Sequence, residues 1–149
     1  GLTLDVFEKM TEMLARYKYR LKTYFMQKPV PNISEEEAIL DIQKAIAYLD
    51  SIAAKYDISI NMHLNPTYAA RGTPLGQAFL EGRFSPPQLE SVRRAVLAAE
   101  GTRISIYIGL YDEGLAVEGG SFVRQGDETL IRRMEEFNRT QVFELLKEA

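Results

Sequence analysis

The chain predicts an α/β fold built on a small, mostly parallel sheet, and three observations predict it. Alternating apolar–polar runs near 21–26, 58–65 and 103–110 have the two-residue period of strands. Around them lie stretches with apolar residues every three or four positions, the period of amphipathic helices. The resulting order is α-β-α-β-α-β-α, in which a helical crossover returns each strand to the same direction. At 149 residues, 46% of them hydrophobic, the chain reads as a single domain, residues 1–149, able to bury a core without staples.

The elements follow in order. Leu2 to about Tyr19 carries Leu4, Phe7, Met10, Met13, Leu14 and Tyr17 at helical spacing. Leu21 to Met26 is a short strand with Leu21, Thr23 and Phe25 on one side and Lys22, Tyr24 and Met26 on the other. Pro29 and Pro31 end it. Ser34-Glu35-Glu36-Glu37 is the clearest helix start: Ser34 accepts from the amide three residues on, Glu37 reaches back, and the carboxylates suit the positive helix end. That helix buries Ala38, Ile39, Ile42, Ala45, Ile46, Leu49, Ile52, Ala53 and Tyr56 on one stripe.

The next strand, Ile58 to Asn65, sets Ile58, Ile60, Met62 and Leu64 against Ser59, Asn61, His63 and Asn65, and stops at Pro66. A loop is predicted from Asn65 to about Ser85, with a short helix at Leu75 to Glu81. Ser85-Pro86-Pro87-Gln88 reads as a second start signal, with Gln88 completing a capping box. Leu89, Val92, Val96 and Ala99 form that helix's buried stripe, and Gly101 stops it. Arg103 to Leu110 alternates again, with Ser105, Tyr107 and Gly109 on the polar side. A glycine-rich stretch from Gly114 to Gly126 leads to Asp127 as the cap of a C-terminal helix. Gly119-Gly120-Ser121-Phe122 lacks the strand-to-helix setting of a phosphate loop and reads as a turn.

The strands are half polar, whereas a parallel sheet covered by helices on both faces reads as continuous apolar runs. One face is therefore expected to be open, or to line the interior of a larger barrel. Three strands also leave two edges, which invites pairing with another chain, including a homodimer through the exposed edge.

Composition excludes several functions. A net charge of −3 and a pI near 5.3 argue against nucleic-acid binding by bulk charge. With no cysteine there is no disulfide, thiolate nucleophile or cysteine-ligated metal in this chain. No apolar run is long enough to span a bilayer, and a cytoplasmic setting is expected. The opening Gly1, in place of Met, reads as an excised piece.

Chemistry is concentrated where the second strand ends. His63, the only histidine, suits a proton donor or a ligand contact, although a lone His on a polar strand face is more often simply solvated. Asn65 and Thr67 suit substrate or cofactor contacts, but Asn-Pro-Thr is also an ordinary turn. Arg71 suits a phosphate or carboxylate, with Lys22, Lys28 and Arg83 extending its charge. Glu35, Glu36 and Glu37 are better read as capping than as acid–base groups, and Arg93-Arg94 and Arg132-Arg133 as solvated faces. No catalytic residue can be named, and no metal ligand set is present.

The succession Leu21-Lys-Thr-Tyr-Phe-Met-Gln-Lys-Pro, Ser34-Glu-Glu-Glu-Ala-Ile-Leu-Asp, His63-Leu-Asn-Pro-Thr-Tyr, Arg71-Gly-Thr-Pro-Leu and Glu81-Gly-Arg-Phe-Ser-Pro-Pro-Gln-Leu resembles the late half of a radical S-adenosylmethionine (radical SAM) barrel. It is most similar to the branch holding the elongator catalytic subunit and the archaeosine-forming enzymes, which act on transfer RNA. The resemblance covers roughly 20–100, with 101–149 as a C-terminal strand and helix extension. It implies a 4Fe-4S cluster and S-adenosylmethionine for a parent enzyme acting on RNA nucleosides. The family's Cys-x-x-x-Cys-x-x-Cys motif is absent, so the chain is expected to bind no cofactor by itself and to be inactive alone. Its partner would be the missing N-terminal half of the barrel, with His63, Asn65, Thr67 and Arg71 at the rim. The alternative is a non-catalytic α/β binding or oligomerisation module.

Overall fold

The computed structural model describes residues 1–147. Its elements are α1 (Leu4–Arg16), β1 (Leu21–Gln27), α2 (Glu35–Tyr56), β2 (Ile60–Pro66), α3 (Pro74–Leu80), α4 (Leu89–Val96), β3 (Ile104–Ile108) and α5 (Glu128–Thr140). Short 3-10 turns follow at Leu97–Ala99 and Phe143–Leu146. The α/β class and the alternating order are those the sequence predicts.

The strands lie in the order β1-β2-β3, all parallel. Sequential order with both crossovers of one hand, the right-handed rule for parallel strands, places both connecting helices on one face. Burial agrees. Ile60, Met62, Leu64, Ile104, Ile106 and Ile108 are buried with the apolar stripes of α2 and α4, and with Met134 and Phe137 of α5, in one core. The opposite face carries Lys22, Tyr24, Met26 and Tyr107 in exposed positions and Asn61, His63, Asn65 and Ser105 half-buried. That face has no covering layer among the described residues, which accounts for the half-polar strands.

Local signals explain the main crossover. The Glu37 amide donates to Ser34 Oγ at 3.1 Å and the Ser34 amide donates to Glu37 Oε2 at 2.7 Å, closing the capping box. Those bonds hold the Glu37 carboxyl below its usual range. Ile39, Ile42, Ile46, Leu49 and Ile52 then lie on the buried stripe, and Asp57 ends the helix in the left-handed region at φ 50°.

The two sheet edges differ. Asn138 of α5 and its C-cap Gln141 lay their side-chain amides along the outer edge of β3 and pair with its backbone. No strand among the described residues pairs with the outer edge of β1. Packed on α2, α1 turns Phe7, Thr11 and Leu14 inward but leaves Val6, Met10, Met13 and Tyr17 exposed. Glu8 ties α1 to α2 through the Lys55 ammonium and the Tyr56 hydroxyl.

Three local expectations change. The second capping box does not form: Gln88 is the N-cap of α4 and caps nothing with its side chain. Ser85 is occupied otherwise, accepting from Lys28 Nζ at 3.1 Å. Arg93 is buried rather than solvated, bonding Glu90 and the Leu146 carbonyl, the latter at 2.7 Å. Arg133 likewise bonds the Leu145 and Lys147 carbonyls. Both arginines satisfy carbonyls of the C-terminal turn, which a helical wheel cannot reveal.

Candidate functional site

The open face is organised around β2. Register places Tyr24, His63 and Tyr107 side by side on three neighbouring strands. The Tyr24 and His63 rings stack with centroids 5.0 Å apart, and Tyr107 meets His63 edge-on at 4.7 Å. Tyr24 is 69% exposed and Tyr107 45%, so their outer surfaces remain available. Lys22 crosses the face so that its ammonium lies 5.6 Å from the Tyr24 ring centre and 5.9 Å from that of Tyr107.

The electrostatics of this face are set by what the strands lack. None of the three strands contains Asp or Glu. Among the described residues Lys22 forms no ion pair with a carboxylate, and its ammonium lies against the two tyrosine faces. His63 is half-buried, and burial followed by the nearby Lys22 charge pushes its pKa below the ordinary 6.5. It is therefore neutral at pH 7. Its Nδ1 is buried without a partner.

Two amides frame the row. Asn61 Nδ2 donates to Ser105 Oγ at 3.0 Å and to the Ser105 carbonyl at 3.3 Å, tying β2 to β3. Asn65 occupies the other end. A Cβ on Gly109 would come within 2.6 Å of Asn65 Oδ1, so glycine there is what lets β3's continuation approach β2. The Gly109 amide completes that approach by donating to the Leu64 carbonyl at 2.8 Å.

The sequence-predicted site residues separate into two groups. His63 and Asn65 share the open face. Thr67 is buried and donates through Oγ1 to the Gln27 carbonyl at 2.7 Å, clamping the end of β2 to the end of β1. Arg71 donates through Nε to the Ala116 carbonyl at 3.2 Å, beside the Ala70–Ala116 bridge, and so fastens two loops. Of the accompanying cations, Lys28 is buried against Glu35 at 3.0 Å, and Arg83 pairs with Glu81. Only Lys22 reaches the face.

Tyr24 and Tyr107 are the functional-looking residues that sequence reasoning passed over. Their signal was present in the period-two alternation, but the register that aligns them with His63 was not. Together the groups can stack a planar ring, accept a negative charge and offer a neutral imidazole. Among the described residues no cluster of His, Asp and Glu has the arrangement of a metal site. No protein-family model and no curated protein matches the chain.

Proposed function

We propose that this chain is the late part of a radical SAM enzyme that acts on RNA nucleosides in the cytoplasm, inactive in that chemistry by itself. The observation that carries the reading is the asymmetry of the sheet. Strands in sequential order, with crossovers on one face and polar groups on the other, have the form of an arc of a (βα) barrel. The arc is closed at β3 by the side-chain amides of Asn138 and Gln141 and open at β1, whose outer edge pairs with no strand among the described residues. A preceding strand parallel to β1 would pair with that free edge.

The donor set bears on the cofactors. Without a cysteine, this chain cannot ligate an iron–sulfur cluster, so the cluster and its cysteines belong to the preceding part of the barrel. When bound, that cluster supplies the electron that cleaves S-adenosylmethionine. The contribution of this chain is the interior wall: His63 and Asn65 face it, while Thr67 and Arg71 hold the strand ends and loops that shape its rim. Among the described residues no helix is long and apolar enough to cross a membrane.

The test is to read the coding sequence upstream of β1 for about 150–200 residues holding the three-cysteine motif. The whole protein is then expressed, reconstituted anaerobically, and assayed for iron and for reductive cleavage of S-adenosylmethionine. A whole protein with no such motif, or one that holds no cluster, sinks the proposal. The second reading, a non-catalytic module that dimerises through its sheet edge, is favoured by the free edge of β1. It is supported if light scattering finds a dimer that substitution of Tyr24 or Met26 with proline abolishes.

A further inference from the structure

We infer that the open face binds a planar aromatic ligand carrying an acidic group, with the ring against the Tyr24–His63–Tyr107 row and the acid at the Lys22 ammonium. This deepens the functional proposal and rests on its reading of the face as ligand-facing, but not on the cluster.

Two independent features converge. The first is the row itself: three rings in register on three strands, two of them substantially exposed and Tyr107 set edge-on to His63, form an aromatic surface that a planar ring can contact. Stacking on exposed aromatic side chains tolerates any planar ring. The second is charge. Overall the chain is acidic, yet its three strands contain no carboxylate and carry one unpaired ammonium over the middle of the face. No strand carboxylate repels an incoming anion, while a cationic ligand would meet Lys22.

The acid has a place to sit. At the N-terminal end of the strands lies a hollow of about 330 Å³ lined by Arg20, Leu21, Lys22, Ser59, Asn61 and Ser105. Beside Leu21 it combines two cationic side chains with neutral hydrogen-bonding groups, and no acid lines it. A ligand so bound lies along the strands, its acidic end away from the rim where Asn65 and Thr67 stand. His63 stays neutral beneath the ring and offers hydrogen bonding without adding charge.

The experiment uses the 149-residue chain. Phenyl phosphate is titrated while the ring resonances of Tyr24, His63 and Tyr107 are followed by NMR, with phenol and inorganic phosphate as the two halves of the probe. Phenyl phosphate is expected to saturate and shift all three rings, and each half to bind about tenfold more weakly or less. Lys22→Met and Tyr24→Leu should each weaken phenyl phosphate about tenfold, whereas Lys9→Met on α1 should not. Circular dichroism confirms that each variant is folded, and Lys22→Gln replaces Lys22→Met if the latter is not. Uridine 5′-monophosphate binding more tightly than benzoate assigns a nucleotide, and the reverse assigns an aryl carboxylate; either supports the inference. Equal binding of phosphate alone or phenol alone, no saturation, or full affinity in the Lys22 variant overturns it. A parent protein without iron leaves this result untouched, so the two proposals fail separately.

Discussion

Asn138 holds Ile108 as a neighbouring strand would: its Nδ2 donates to the Ile108 carbonyl at 2.9 Å, and its Oδ1 accepts from the Ile108 amide at 2.8 Å. Gln141 repeats the arrangement on Ile106 at 2.7 and 2.9 Å. A helix thereby terminates a sheet, satisfying edge groups that would otherwise recruit another chain. The left-handed conformation of Gln141, φ 56°, ends α5 where its side chain meets the strand.

Removing these amides should cost stability and also expose the edge. Asn138→Leu and Gln141→Leu are each expected to destabilise the fold by about 1–3 kcal/mol, because each orphans a backbone donor and acceptor. Urea denaturation measures the loss, and light scattering across concentration should show self-association absent from the parent chain. Variants that remain as stable as the original would show that solvent satisfies the edge equally well.

Gly76 is required by a close approach. A Cβ there would collide with the Ala70 carbonyl oxygen, which Thr73 Oγ1 already fixes at 2.8 Å. Gly76→Ala should therefore cost more than about 3 kcal/mol. Gly82, at φ 76° with open space around it, supplies the contrast, and Gly82→Ala should cost about 1 kcal/mol from backbone strain alone. Chemical denaturation of both variants ranks them, and the reverse order refutes the packing argument.

The Lys28–Glu35 pair joins the end of β1 to the start of α2, with Lys28 only 5% exposed. Glu35→Gln leaves that buried ammonium with Ser85 as its remaining side-chain partner and should destabilise by about 3 kcal/mol. The double variant Lys28→Met/Glu35→Gln should recover most of the loss, since it removes the unpaired charge. A double-mutant cycle in urea measures the coupling, and simple additivity would refute it.

His63 imposes a pH dependence whose sign follows from its environment. Burial and Lys22 lower its pKa in the folded chain below the ordinary 6.5, so the unfolded chain takes up its proton first. Its contribution is complete above that value and is lost as pH falls towards the lowered folded value. Stability should thus decline as pH drops below about 6.5, and His63→Phe should flatten the profile just below that value. The lowered carboxylates of Glu8, Glu37 and Glu90 act at lower pH and should persist in the variant. Urea midpoints across this range decide it, and identical slopes would place the dependence elsewhere.

Much of the architecture is legible residue by residue. The alternation of Ile60, Met62 and Leu64 with Asn61, His63 and Asn65 identifies both the strand and its two-sided character, because side-chain direction along a strand depends only on local backbone geometry. The Ser34–Glu37 box is equally local, since every group it uses lies within four residues. The Ser85–Gln88 signal looked the same but failed, because Ser85 met Lys28 across 57 positions.

The sequence by itself determined the elements, their order and the half-polar character of the sheet. Tertiary structure decided which polar groups meet. It aligned Tyr24 and Tyr107 on either side of His63, drew Thr67 and Arg71 into structural clamps, and brought Asn138 to the edge of β3. The reason is range: periodicity and capping are settled within a turn or a strand. Register and long-range pairing instead depend on how loops and a shared core bring distant segments together.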